Sequence, residues 1–202
     1  LRVPEEGELA LVDRLRTSVS EGVDYHPYLP REDGRLPMSD FGGVHRYNVT
    51  GLFHDMWGFP SDNPKVVHGL LRHLVDKIQN NVNQMARFKE FYLKDAECIL
   101  ISYGSSARSA RHVVEYLRPR GERIGLLELQ TLWPFPHDIV NEKCANAKYM
   151  VVVEMNMGQI MREVKRAVKN PERVFLANRI DGVFIAPRDI RDILRIIQGK
   201  GV

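Results

Sequence analysis

The fold is decided by the run Cys98-Ile99-Leu100-Ile101, which is continuously apolar and ends shortly before Gly104. A strand that helices cover on both faces has such a continuous run, whereas a half-exposed strand alternates apolar and polar residues. Three later runs have the same character, and they are Ile124–Leu129, Tyr149–Val153 and Val174–Ala177. The sequence therefore predicts four strands of a mainly parallel sheet.

Helical patterns separate these four runs. Apolar residues at helical spacing follow the first run, between Ala107 and Leu117, and shorter patterns surround Ile139 and Ile160. Pro187 is placed to begin a last helix, because proline suits a first helical turn. Since crossovers between parallel strands are right-handed, these elements predict an α/β fold with three α/β/α layers.

The chain is expected to divide near residue 62. Residues 1–62 are rich in proline and glycine and lack a steady apolar period, which predicts an irregular segment on a surface. From Asn63-Pro64 onward, the apolar residues Val66, Leu70 and Leu74 predict a long helix with one buried stripe that continues toward Phe88. We thus predict a linker over residues 1–62 and a domain over residues 63–202.

Composition excludes several classes of function. The chain has 202 residues and a net charge of +3, which is too small to indicate a nucleic-acid or membrane partner. No apolar run approaches the length of about 20 residues that a membrane span needs. The two cysteines, Cys98 and Cys144, lie far apart and form no metal-binding pair, so no metal site is expected in this chain. Their sparse usage fits a cytoplasmic protein.

Ligands of such a sheet usually meet the loops that follow the carboxyl ends of the strands. Gly104, Ser105 and Ser106 open a helix after the first run, and Glu154 and Asn156 follow the third. These five residues are our candidates for a strand-end crevice. No glycine-rich dinucleotide or nucleotide motif accompanies them, and a serine pair that merely caps the helix is the favoured interpretation.

Two other segments contain candidate residues. Trp133-Pro134-Phe135-Pro136 is a rigid apolar loop, and Trp133 and Phe135 either anchor an interface or cover the core. The glycine-punctuated segment 41–55 contains Arg46, Thr50, His54 and Asp55. There an arginine can grip a carboxylate, and the histidine beside an aspartate can move a proton. Without a family, local hydrogen bonds that hold the loop are the favoured role for His54 and Asp55.

Four motifs, in this order, resemble the alpha subunits of 2-oxoacid:ferredoxin oxidoreductases. They are Val49–Pro60, Ile101–Arg108, Leu129–Pro136, and Val152–Gln159 with Arg162-Glu163-Val164. The resemblance implies that residues 63–202 form a transketolase C-terminal-like domain and that residues 1–62 hold an interdomain linker and the tail of a thiamine-pyrimidine domain. One departure is that Met56 and Trp57 follow His54-Asp55, where the family often has a glutamate.

The resemblance also implies a function. Such complexes use thiamine diphosphate, Mg²⁺, iron–sulfur clusters and coenzyme A to decarboxylate a 2-oxoacid to an acyl-CoA, with electrons passing to ferredoxin. It implies a beta subunit as partner, with gamma and delta subunits as further candidates, and 2-oxoglutarate is preferred over pyruvate. We expect this chain to bind none of these cofactors and to be inactive alone, serving assembly and shaping the surroundings of the active site. Its segment 41–55, with Arg46, Thr50, His54 and Asp55, is expected near that site.

Two alternatives stay open. A Rossmann-like module that binds a nucleotide or coenzyme A in the strand-end crevice predicts a saturable ligand at the Ser105-Ser106 turn. A purely structural assembly domain predicts no ligand at all.

Overall fold

A computed structural model describes residues 3–5, 7–8 and 13–199 of the chain. The chain divides into two compact units, residues 1–80 and residues 81–202. This division falls later than the predicted boundary at residue 62. The interpretation of residues 1–62 as a linker and as the tail of a thiamine-pyrimidine domain stays a prediction.

The first unit contains a single long helix in its described residues. This helix, α1, spans Pro64–Gln79, and the Asn63 side chain caps it by accepting a hydrogen bond from the amide of Lys65. The described residues before it are irregular, as predicted, and show only isolated strand bridges. No residue of α1 is buried, and Leu71, Leu74 and Val75 are exposed. The expected apolar stripe exists, but Val66 and Leu70 are only half-buried and Leu74 is exposed, so the prediction of a buried stripe is wrong.

The second unit holds five strands and five helices in its described residues. In chain order they are α2 (Val82–Met85), β1 (Phe88–Phe91), β2 (Cys98–Tyr103), α3 (Gly104–Leu117), β3 (Ile124–Leu129), α4 (His137–Cys144), β4 (Tyr149–Glu154), α5 (Gln159–Ala167), β5 (Val174–Asn178) and α6 (Pro187–Ile197). Short 3₁₀ turns at Arg118–Arg120 and Pro171–Arg173 precede β3 and β5. The prediction that α1 continues toward Phe88 is wrong, because α1 ends at Gln79 and Phe88 begins a strand.

The sheet has the order β1-β3-β2-β4-β5. The four predicted strands are parallel, and β1 pairs antiparallel with β3 at one edge. Helices α3 and α6 pack together, and so do α4 and α5. The inward residues of the central strand alternate between two core clusters, with Ile99 and Ile101 in one and Cys98 and Leu100 in the other. These two clusters lie under the two helix pairs, which confirms the three-layer α/β/α prediction.

None of the helices among the described residues combines the length and the apolar character that crossing a membrane requires.

Candidate functional site

The carboxyl ends of β2 and β4 lie side by side at the centre of the sheet. The chain leaves β2 toward β3 on one side and returns through β4 to β5 on the other. This reversal is the switch point at which open α/β sheets usually hold ligands. The loops that follow Tyr103 and Glu154 therefore form the crevice that the sequence predicts.

Glu154 is the buried carboxylate of this crevice, with no exposed surface. Its Oε2 accepts a hydrogen bond from the backbone amide of Ile160 at 3.1 Å, and its Oε1 accepts one from Met161 at 3.1 Å. Both amides belong to the first turn of α5, whose N–H groups have no partner within the helix. The hydroxyl of Tyr103 donates to Oε2 as well, at 3.2 Å. The carboxylate thus occupies the positive end of α5 that an anionic ligand would otherwise use.

Asn156 completes this arrangement. Its Oδ1 accepts hydrogen bonds from the amides of Gly158 and Gln159 at 2.9 Å each, and its Nδ2 donates to the Tyr103 hydroxyl at 2.6 Å. Burial and the neighbouring carboxylate of Glu154 raise the pKa of Tyr103 to about 12, so its hydroxyl stays protonated and keeps donating. Tyr103 is a member that the sequence analysis missed, because the predicted apolar run ended at Ile101, two residues before the end of β2.

The Gly104-Ser105-Ser106 turn begins α3, as predicted, but the serines do not cap it. The residue at the cap position is Tyr103, which makes no side-chain capping bond. Ser106 is buried, and the Oγ of Ser105 points to the sulfur of Met155 at 3.9 Å. The capping interpretation was therefore wrong, because the helix begins one residue before the serines.

The polar groups of Glu154, Asn156 and Tyr103 satisfy one another and the first turn of α5. A diphosphate placed there would have to displace a buried carboxylate from two backbone amides. The α5 terminus therefore has no free amides for an anionic ligand, whereas the first turn of α3 on the other side of the crevice carries no side-chain cap.

Trp133 and Phe135 face different surroundings. Phe135 is buried in the core cluster that contains Ile99 and Val140, so it covers the core rather than a partner. Trp133 is 72% exposed, on the loop after β3. Of the two interface candidates, only Trp133 is available to another chain.

His54 lies in the first unit and is 3% exposed. Its Nε2 is hydrogen-bonded to the Oγ1 of Thr50 at 3.0 Å, and its ring stacks on Tyr28 at a centroid distance of 4.8 Å. A backbone bridge between His54 and Pro60 closes the loop around it. The structure thus brings Thr50 and His54 together as a hydrogen-bonded pair in which His54 is buried and Thr50 is exposed.

Asp55 and Arg46 have contrasting environments. The Oδ1 of Asp55 accepts hydrogen bonds from the amides of Trp57 and Phe59 at 3.0 Å each, which holds the turn of its own loop. Arg46 is exposed and makes neither a hydrogen bond nor an ion pair with any described residue. Arg46 is therefore the member of this set whose charge is available to a ligand.

A cavity of about 460 Å³ adjoins this loop within the first unit. His54, Asp55 and Trp57 line one side, and Lys65 and His73 of α1 line the other. The Nε2 of His73 is buried and has no hydrogen-bond partner. The sequence analysis missed Lys65 and His73, because helical periodicity singled out only the apolar residues of α1.

Substitutions of Arg46 and of His54 should affect the stability of the chain differently. We expect Arg46→Ala to leave the free energy of unfolding within about 0.5 kcal/mol of wild type, because no described contact is lost. We expect His54→Ala to lower it by about 1 to 2 kcal/mol, because a buried ring and its hydrogen bond are removed. Chemical denaturation measures both values. An Arg46→Ala variant that is destabilised as much as His54→Ala would contradict the view that Arg46 makes no structural contact.

The two cysteines lie in separate core clusters, and both are buried. Burial raises the pKa of the Cys98 thiol to about 12, and it raises that of Cys144 to about 12 as well. Two separated, protonated thiols do not fit the ligand set of an iron–sulfur cluster. No cluster of three or more potential metal ligands occurs among the residues that the structure describes.

We therefore expect neither thiol to react with a thiol-specific disulfide reagent at pH 8 in the folded chain, because reaction requires an accessible thiolate. The absorbance of the released chromophore measures this, and denatured protein should release two equivalents. Fast release from the native protein would contradict the buried placement of Cys98 and Cys144.

These features define a three-layer α/β domain in which side chains occupy the α5 end of the switch-point crevice and a loop presents an exposed tryptophan. A profile of the family described as "Pyruvate:ferredoxin oxidoreductase core domain II" matches residues 96–190. The 2-oxoglutarate synthase subunit KorA of Methanocaldococcus jannaschii is 38% identical over 76% of this chain and 41% of that subunit. The KorA subunit of Methanothermobacter thermautotrophicus is 36% identical over 93% of this chain and 51% of that subunit. The chain belongs to the alpha-type subunits of the 2-oxoacid:ferredoxin oxidoreductases.

A solved structure has the same fold. It is the 2-oxoglutarate:ferredoxin oxidoreductase from Magnetococcus marinus, with 2-oxoglutarate, coenzyme A and succinyl-CoA bound. The match has a TM-score of 0.84 and 21% identity, and it covers 96% of this chain and 34% of that chain. The chain therefore spans about half the length, or less, of the relatives that it matches.

Proposed function

We propose that this chain is the carboxy-terminal part of the alpha subunit of a thiamine diphosphate-dependent 2-oxoacid:ferredoxin oxidoreductase in the cytoplasm. Its role there is to assemble the subunits and to shape the surroundings of the active site. The observation that supports this proposal is the occupied end of α5. Glu154 and Asn156 accept hydrogen bonds from the first-turn amides of this helix, so its terminus is not an open anion site.

The proposed reaction of the whole complex is the oxidative decarboxylation of a 2-oxoacid to an acyl-CoA, with electrons passing to ferredoxin. We propose 2-oxoglutarate as the substrate. The support for it is that the two KorA relatives described above carry the name 2-oxoglutarate synthase. A complex that contains this chain should turn over 2-oxoglutarate faster than pyruvate.

Thiamine diphosphate, Mg²⁺ and the iron–sulfur clusters belong to other parts of the proposed complex. When bound, they supply the carbanion chemistry and the electron path. Among the described residues of this chain, the α5 terminus is occupied by Glu154 and Asn156, and both cysteine thiols are buried. Within this chain, Arg46 and the cavity beside His54 and Lys65 are the proposed contribution to the active-site surroundings.

The alternative of a nucleotide or coenzyme A module is restricted to the Ser105-Ser106 turn of α3, because the donors at the α5 terminus are already engaged. Calorimetry of the chain with coenzyme A and with ATP tests it directly. Saturable heat that Ser105→Ala abolishes would favour this module over the assembly role.

Trp133 is the proposed anchor for the beta subunit. Exposed tryptophans at interfaces commonly contribute more than 2 kcal/mol to binding, so we expect Trp133→Ala to weaken association with the beta subunit by about 30-fold or more. Ile196→Ala is the matched control, since it removes another apolar side chain that is 61% exposed. Titration of the labelled beta subunit in the reconstituted complex measures both affinities. Equal affinities for wild type and the Trp133 variant would refute the anchor, and ferredoxin reduction by this chain alone would refute the assembly role.

A further inference from the structure

A cavity that no part of the proposed function uses lies at the amino-terminal ends of the parallel strands, opposite the crevice. It has a volume of about 300 Å³, and the first residues of three parallel strands, Cys98, Ile124 and Tyr149, form its floor. The last turns of α3 and α6 supply walls, which include Tyr116 and Leu194. This volume falls at the lower end of the range found for small-molecule sites, about 300 to 1,000 Å³.

The charge of the lining is unbalanced. Four arginines and two glutamates line the cavity, and they are Arg120, Arg123, Arg191, Arg195, Glu97 and Glu122. Arg123 and Lys148 both pair with Glu97, and Arg195 lies 3.5 Å from Asp192. Among the described residues, by contrast, no carboxylate lies within ion-pair distance of Arg120 or Arg191.

Tyr116 holds these two arginines close together. The Cζ of Arg120 lies 3.6 Å from the centroid of its ring, and the Cζ of Arg191 lies 4.8 Å from the same centroid. A cation is attracted to an aromatic face, but this contact leaves its positive charge uncompensated and its edge donors free. Two positive charges near one ring repel each other, and an anion bound close to both would reduce this repulsion.

The donors of these arginines are mostly unused. The Nε of Arg191 is buried and has no hydrogen-bond partner. Arg120 donates from one Nη to the backbone oxygen of Tyr116 at 2.6 Å, which occupies a single N–H of the five that a guanidinium carries. A buried donor without a partner is unfavourable, and an oxyanion in the cavity would accept this hydrogen bond.

We propose that this cavity binds a small organic anion through a phosphate or carboxylate group, with Arg191 and Arg120 as its two ligand-binding side chains. Planar guanidinium groups bind both kinds of oxyanion with paired hydrogen bonds, so the chemistry of the two is shared. The site lies at the amino-terminal ends of the strands, whereas the crevice lies at their carboxyl ends. Neither arginine belongs to the crevice or to the loop around His54. It is a second site in the family domain, independent of the proposed reaction.

Nuclear magnetic resonance of the full 202-residue chain tests this proposal through the Nε–Hε signals of its arginines. Pyrophosphate and succinate are titrated separately, because their relative affinities tell a phosphate ligand from a carboxylate ligand. We expect saturable shifts of the Arg191 signal with at least one of the two anions. Arg191→Gln and Arg120→Gln should each weaken that binding about tenfold or more, since each removes a charge-assisted pair of hydrogen bonds.

Arg188→Gln is the matched control. Arg188 lies on the same helix as Arg191, its side chain is 77% exposed, and it does not line the cavity. Binding should persist in this variant. The exposed Arg120 variant keeps the test valid if Arg191→Gln fails to fold. No saturable shift with either anion up to tens of millimolar, or equal binding by wild type and the Arg120 variant, would overturn the proposal.

Discussion

Glu154→Ala should lower the free energy of unfolding of the second unit by about 3 to 5 kcal/mol. The carboxylate accepts hydrogen bonds from Ile160, Met161 and Tyr103, and its side chain has no exposed surface. Each buried donor that loses its acceptor costs about 1 to 3 kcal/mol. Since a domain is typically stable by only about 5 to 15 kcal/mol, this single change should bring the unit close to unfolding.

Two further variants make the measurement specific. Glu154→Gln keeps the volume and one acceptor oxygen, so we expect a smaller loss than with alanine. Glu172→Ala removes a glutamate that is 67% exposed, and it should change stability by less than about 0.5 kcal/mol. Urea denaturation followed by circular dichroism measures all three. A Glu154→Ala protein as stable as the Glu172 variant would show that the helix terminus does not depend on this carboxylate.

The strands β2, β3 and β4 were predictable, because a strand buried on both faces must be apolar nearly throughout. The edge strand β1 was not, since Phe88-Lys89-Glu90-Phe91 is short and partly exposed and follows a helical pattern. The burial of α1 was also mispredicted. A stripe at helical spacing indicates which face can be buried, but it contains no information on whether the same chain covers that face.

The candidate site was predictable only in its location. Strand ends follow from the strand pattern, which placed Glu154 and Asn156 in one crevice. Their role depends on the residue at which α5 begins. If the helix began one residue earlier or later, the Glu154 carboxylate could miss its first-turn amides and be free to contact a ligand instead. Likewise, the sequence does not tell a proton-moving His54 from one that is buried against Tyr28 and Thr50.

Gly125 lies inside β3, at the point where another segment of the chain crosses it. A Cβ atom at this position would lie 2.7 Å from the backbone oxygen of Tyr92 and 3.0 Å from that of Phe91. The crossing segment turns sharply there, since Tyr92 has a φ of 56°, a value that residues other than glycine rarely adopt. Arg118 fixes the same segment by donating to the Tyr92 oxygen at 2.6 Å and to Asp95 through two hydrogen bonds at 2.8 Å. The carbonyl therefore cannot retreat without breaking contacts of its own.

We expect Gly125→Ala to destabilise the second unit by about 2 to 3 kcal/mol, because overpacking against an anchored backbone forces that backbone to move. Gly69→Ala is the matched control. It makes the same change inside α1, where a Cβ would meet nothing within 4 Å, so the higher helix propensity of alanine should stabilise the first unit by about 0.5 to 1 kcal/mol. Hydrogen exchange resolves the two units separately and measures both effects. Each variant adds one methyl group, so stability changes of opposite sign would show that the space around the Cβ decides the effect. A Gly125→Ala variant as stable as wild type would show that the Tyr92 segment moves aside at little cost.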